Sequence, residues 1–228
     1  MASLLVDVNE TLSDLSPVAT VFGEVAGDGL LADVWFASIL RNGFALTAAG
    51  DDASFPQLAQ GHAEDLLRSH VTAEALDEAV SSVLDSFAAV PPHDDVIPGV
   101  HALREAGHRL FTLSNGPRSN AERLLGDAGL LESFDDLLTV EGNSPWKPAR
   151  AAYRTAVERA HVEPGDAWLV AVHPWDVHGA AGAGLRTAWI DRSGRRYPPH
   201  LRQPLIAATG VLDLARHLGP IDTSGSAS

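Results

Sequence analysis

The chain has 228 residues, of which 45% are hydrophobic and 20% charged, ordinary values for a protein with a real core. Its formal net charge of -14 argues against a nucleic-acid partner, whose footprint would be a basic patch. It contains no cysteine, which excludes disulfides, thiolate metal sites and Cys nucleophiles. No signal-peptide pattern is visible at the N-terminus and no apolar run reaches membrane-spanning length, so the expectation is a cytoplasmic protein with no membrane partner.

The first predicted element is a strand ending in "LLVDVNETLSD", where an apolar run stops at Asp7, Asn9 and Thr11. Asp, Asn and Thr all bond local backbone, so a plain polar turn accounts for this stretch taken alone. From Ser16 to about Val90 the pattern is helical. Leu76, Val80, Val83, Leu84 and Phe87, for example, form an i, i+4, i+7 stripe. The segment "VPPHDDVIPG" then interrupts the helices with three prolines. Strands follow at 110–113, 137–140, 167–172 and 185–190, alternating with helical stretches. Buried strands alternating with helices indicate a parallel sheet covered on both faces. The expected architecture is therefore α/β, a Rossmann-like parallel sheet with an inserted helical cap domain. The core would comprise 1–14 and 93–218, the cap 15–92, and a flexible tail 219–228.

Ligands of an open parallel sheet bind at the carboxyl ends of its strands. Successive strand ends here carry Asp7, Asn9 and Thr11; Ser114 and Asn115; Ser144, Lys147 and Tyr153; and His173, Trp175, Asp176 and His178. An acid, a hydroxyl, a lysine and a second acid in that order are far less expected by chance than any one alone. His173 and His178 flank Asp176, but no third ligand is placed, so no metal site is assigned. "GAAGAG" lacks the spacing of a dinucleotide fingerprint and reads as close helix–sheet packing.

These motifs resemble the haloacid dehalogenase superfamily of hydrolases with an aspartate nucleophile. "LLVDVNETL", "LFTLSNG", "SPWKPARAAY" and "VAVHPWDVHGAAGAG" match its four motifs in order, and the helical insert matches its cap. Lys147-Pro148 followed by Tyr153, and Trp175-Asp176 before Gly179-Ala180, resemble the L-2-haloacid dehalogenase branch in particular. The resemblance implies hydrolytic dehalogenation of a short 2-haloalkanoic acid. Asp7 would attack the halogen-bearing carbon and water would then hydrolyse the aspartyl ester. Lys147 would favour the ionised form of Asp7, Thr11 and Ser114 would orient it, and Asp176 would position Lys147 or the water. Asn115 would bind the substrate carboxylate. Asn9, Trp146, Tyr153, His173 and Trp175 would line the substrate pocket.

Two departures stand out. The branch's cap arginine falls on Ala37, which leaves Arg41, one helical turn on, as the nearest substitute or else as a cation completing the end of a helix stopped by "NG". The branch's Ser and Asn ahead of Trp-Asp are replaced by Ala171 and His173. No cofactor is required and a homodimer is allowed. A Mg²⁺-dependent phosphatase or phosphonatase-like hydrolase, with Mg²⁺ at Asp7 and Asp176, is the alternative. It is disfavoured by Asn9, which cannot protonate a leaving alkoxide as an acid would. A catalytically silent binding protein that keeps the fold is the other.

Overall fold

A computed structural model describes residues 1–142 and 145–219. The expected tail, apart from Gly219, and Ser144 thus lie outside the described residues. The sheet has six parallel strands in the order β3-β2-β1-β4-β5-β6. They are β1 (Ser3–Val6), β2 (Arg109–Ser114), β3 (Asp136–Thr139), β4 (Ala167–Ala171), β5 (Arg186–Ile190) and β6 (Ile206–Ala208). β1 is central, with Leu4 level with Leu110 on one side and Trp168 on the other. All four of its side chains are buried, as a strand covered on both faces requires.

Side-chain alternation along the strands builds two cores. Leu4, Val6, Leu110 and Val170 face one of them, together with α5 (Val96–Glu105), α6 (Arg118–Asp127) and α9 (Val211–Leu218). Leu5, Phe111, Leu113 and Leu169 face the other, where α7 (Arg150–Arg159) and α8 (Pro174–Gly182) pack. This second core continues without a break into the helices that follow β1.

Those helices are α1 (Ser16–Ala26), α2 (Leu31–Ala49), α3 (Phe55–Leu67) and α4 (Leu76–Ala88). Trp35 of α2 is fully buried among them, with its ring edge-on to Phe87 and its indole N–H donated to the Ala59 carbonyl at 2.8 Å. Ser54 and Gln57 form a reciprocal capping box that starts α3. The chain leaves and re-enters the sheet through two segments bonded to each other, Asp14 N to Pro91 O at 2.8 Å and His93 N to Leu12 O at 2.9 Å.

Two sequence expectations need correction. "NG" does not stop a helix, because α2 runs on to Ala49. Gly43 is tolerated inside it because a Cβ there would collide with the Trp146 ring. The short edge strand β6 was not anticipated, since three residues after a proline-containing loop carry no periodic signal. Among the described residues no helix is long and apolar enough to cross a membrane.

The contact at Gly43 is testable. Gly43→Ala should lower unfolding stability by about 1–3 kcal/mol through overpacking. Gly61→Ala, at an open helical position, should raise it by about 0.5–1 kcal/mol. Urea titration of both variants checks the pair.

Candidate active site

Asp7 follows β1 immediately, and its amide donates to Val170 O of β4 at 2.9 Å, which fixes where its side chain leaves the sheet. One carboxylate oxygen accepts from Thr11 Oγ1 at 2.6 Å and the other from Lys147 Nζ at 2.8 Å. Thr11 Oγ1 also accepts from Val172 N at 3.0 Å, so this hydroxyl ties the first loop to the end of β4.

Lys147 is completely buried. Its three ammonium hydrogens are matched by three acceptors: Asp7 Oδ1 at 2.8 Å, Leu113 O at 2.7 Å and Asp176 Oδ2 at 2.6 Å. Burial works against the charge, but Asp176 and Asp7 more than offset it and raise the pKa of Lys147 above its usual value. Asp176 is also completely buried, in the first turn of α8, where the helix dipole favours an anion. Burial pushes its carboxyl up, with Lys147 pulling the other way. Its second oxygen accepts from Tyr153 Oη at 2.5 Å. Burial, and the Asp176 charge beside it, hold the Tyr153 hydroxyl well above the usual tyrosine range.

Several expected roles change on this geometry. Asn115 was expected to meet a substrate carboxylate. Its amide instead pairs with the main chain of Lys147, Oδ1 accepting from N at 2.8 Å and Nδ2 donating to O at 3.2 Å. Ser114 makes no hydrogen bond to Asp7; its Oγ accepts from Gly116 N at 2.9 Å. Tyr153 has no exposed surface and points at Asp176, so it supports the carboxylate and does not line a pocket. Arg41 lies mid-helix and exposed, on the side of α2 near His62, not at a helix end and not beside Asp7. Trp146 is buried, stacked on Phe55 of α3 at 5.9 Å, and joins the helical insert to the sheet. Asn9 and Trp175 do flank the site. The Asn9 amide faces Gly116, and Trp175 lies edge-on to Phe44 of α2 and 6.0 Å from the Lys147 ammonium.

One residue was missed. Glu10 adopts a left-handed conformation with φ of 61°, uncommon outside glycine. That backbone brings its carboxylate to 3.5 Å from His173 Nε2, which is also 3.9 Å from Asp7 Oδ2. The His173 ring is stacked between Phe36 at 6.2 Å and Trp175 at 4.9 Å. Burial raises the pKa of Glu10 and His173 opposes the rise. Nothing in a single sequence distinguishes Glu10 from a turn residue. Glu10 and His173 line a cavity of about 500 Å³ together with Val18, Trp35, Phe36 and Arg192.

The donor set does not suit Mg²⁺ at Asp7 and Asp176. Both oxygens of each carboxylate are engaged, and the Lys147 ammonium occupies the space between them. A divalent ion bridging the two acids would have to displace a buried cation.

The family model for haloacid dehalogenase-like hydrolases matches residues 1–184. The chain belongs to this family. It is 24% identical over 210 residues to (S)-2-haloacid dehalogenase 2 of Pseudomonas sp. strain CBS-3, covering 91% of each chain. It is 32% identical over 160 residues to enolase-phosphatase E1 of Nocardia farcinica, covering 66% of this chain and 68% of that relative. The L-2-haloacid dehalogenase from Xanthobacter autotrophicus with covalently bound chloropropionic acid shares its fold, with a TM-score of 0.84 at 20% identity over all of both chains. The α/β fold and helical insert expected from the motifs are those of this hydrolase family.

The Lys147–Asp176–Tyr153 cluster makes a prediction about alkaline stability. Lys147 and Tyr153 both hold their protons in the folded protein above their ordinary values of 10.5 and 10.0. Past about pH 10 the unfolded chain therefore binds fewer protons than the folded one, and stability falls as pH rises. Tyr153→Phe removes one of these groups. Its unfolding free energy should be about 1–3 kcal/mol lower near neutrality, because an Asp176 oxygen loses its partner. It should also decline less steeply above pH 10, as measured by denaturant titration at stepped pH.

Proposed function

We propose that the protein is a hydrolytic dehalogenase of short 2-haloalkanoic acids working through an Asp7 ester. The observation that carries this is the Asp7 carboxylate held between Thr11 and a buried lysine, with an amide at Asn9 where phosphate-ester hydrolysis would want a proton donor for the leaving alkoxide. Halide leaves without a proton, so the amide costs that reaction nothing. The names of the haloacid dehalogenase relatives support the same chemistry.

In the first step an oxygen of Asp7 attacks C2 from behind the carbon–halogen bond, which breaks with both electrons on halide. The product is an ester between Asp7 and the substrate, with inversion at C2. Lys147 offsets one of the two carboxylate charges and Thr11 orients Asp7. In the second step water adds to the aspartyl carbonyl carbon. His173, packed against two aromatic rings, takes the water proton, and Glu10 stabilises the resulting imidazolium. The tetrahedral centre collapses with cleavage of its bond to the alkyl oxygen, and His173 returns the proton to the departing 2-hydroxyacid. Asp7 emerges carrying the water oxygen and releases the second water proton to solvent. Asp176, Tyr153, Ser114 and Asn115 keep Lys147 and the second strand end in place. Trp175 and Asn9 bound the substrate, and helices α1 to α4 act as the cap. The enzyme requires no cofactor, resides in the cytoplasm and is compatible with a homodimer.

The Nocardia farcinica relative favours the phosphatase reading, which predicts Mg²⁺-dependent turnover of p-nitrophenyl phosphate abolished by EDTA. Halide release from L-2-chloropropanoate separates the two readings. Release should be present in the unaltered protein and absent in Asp7→Asn; lack of release, or release undiminished in that variant, defeats the dehalogenase assignment. His173→Gln should keep a burst of about one halide per chain and lose about 10²–10⁴-fold in steady turnover. Mass spectrometry should then find the ester on the peptide carrying Asp7. Arg41→Ala should leave kcat/KM within about twofold, since loss of a transition-state contact would cost about tenfold or more.

A further inference from the structure

Thr11 is held at both ends. Its hydroxyl binds Asp7, and its main-chain carbonyl accepts two N–H groups from Arg192, Nη2 at 2.6 Å and Nε at 3.2 Å. The remaining arm of the guanidinium, Nη1, donates to Asp95 Oδ1 at 2.7 Å. Asp95 is in turn anchored, because its other oxygen accepts from Val211 N at the start of α9 at 2.5 Å. Gly210 is required beside it, since a Cβ there would strike the Asp95 carboxylate. Arg192 leaves the sheet just after β5, and Asp95 stands where the chain returns from the helical insert. The ion pair is largely shielded, with side-chain exposures of 16% and 26%. Burial would raise the pKa of Asp95, but its bonds to Arg192 and to Val211 N bring it below its usual value, as expected for a persistent pair.

We propose that Arg192 is a positioning residue for Asp7. It fixes the carbonyl of the residue whose hydroxyl fixes the reacting carboxylate. This rests on Asp7 being the nucleophile. The planar guanidinium is suited to the task because it reaches one acceptor with two donors and a second acceptor with a third, which a lysine cannot do. Both donors land on Thr11, one residue past the left-handed turn at Glu10. A carboxylate displaced by about 1 Å can lose about 10²-fold in rate, so a clamp on Thr11 has leverage on chemistry out of proportion to its stability.

The test is a double-mutant cycle on halide release from L-2-chloropropanoate, combining Arg192→Gln with Thr11→Val. In the unaltered background Arg192→Gln should lower kcat by about tenfold or more while KM stays within about twofold. In the Thr11→Val background, where the hydroxyl is already gone, it should lower kcat by less than about twofold. Guanidinium ion added to Arg192→Ala should restore part of kcat. Should Arg192→Gln fail to fold, Asp95→Ala replaces it in the cycle, because it keeps the guanidinium and removes the acceptor that anchors it. Equal losses in both backgrounds, or a loss confined to KM, reduce Arg192 to a strap holding the fold and overturn the proposal. Absence of halide release from the unaltered protein would instead remove the dehalogenase assignment on which the proposal rests.

Discussion

Lys147 is the constraint on which the rest of the structure depends. A buried ammonium is costly to desolvate unless every hydrogen finds an acceptor, and its attraction to partners must offset the loss of water. Here the acceptors come from three separate strand ends: Asp7 after β1, the Leu113 carbonyl in β2 and Asp176 after β4. The requirement propagates outward. Tyr153 occupies the second oxygen of Asp176, Thr11 the second oxygen of Asp7, and Asn115 both main-chain polar groups of Lys147 itself. Removing any one partner leaves a buried charge or a buried main-chain group unmatched, so the motif residues form one electrostatic unit.

That unit explains which parts of the site could be read from the sequence. Strand ends are legible because buried parallel strands are apolar runs, and the polar residues that interrupt them fall on one edge of the sheet. Hence the sequence alone places Asp7, Thr11, Lys147 and Asp176 at neighbouring strand ends. The direction in which each polar group points was not legible. Ser114, Asn115 and Tyr153 are the residue types that also bind substrates, and only the structure shows their hydrogen bonds turned toward backbone or toward Asp176. Arg41 failed for a different reason. Gly43 looked like a helix stop, whereas its missing side chain makes room for Trp146, a contact 103 positions away that no local pattern records. Glu10 was invisible because its importance comes from a backbone angle.

The tension between dehalogenase and phosphatase relatives also has a physical resolution. A phosphoryl-transfer site must manage charge on the transferred group, commonly with a divalent ion shared by carboxylates. In this chain the carboxylates already share a lysine, and their oxygens are all engaged. A displacement at carbon asks for less. The single charge of Asp7 passes to halide, and one buried cation nearby suffices to balance the second acid.

Closure of the site follows from the two halves of such a reaction having opposite needs for water. Asp7 is 4% exposed, and Lys147 and Asp176 are fully covered. A carboxylate stripped of bulk water is the stronger nucleophile toward carbon, provided fixed donors replace its hydration shell. Hydrolysis of the ester then needs one water and a base to activate it. His173 lies 3.9 Å from Asp7 and also lines the cavity of about 500 Å³, so one residue borders both the carboxylate and a space that can hold water. Its ring is stacked on Phe36 and on Trp175.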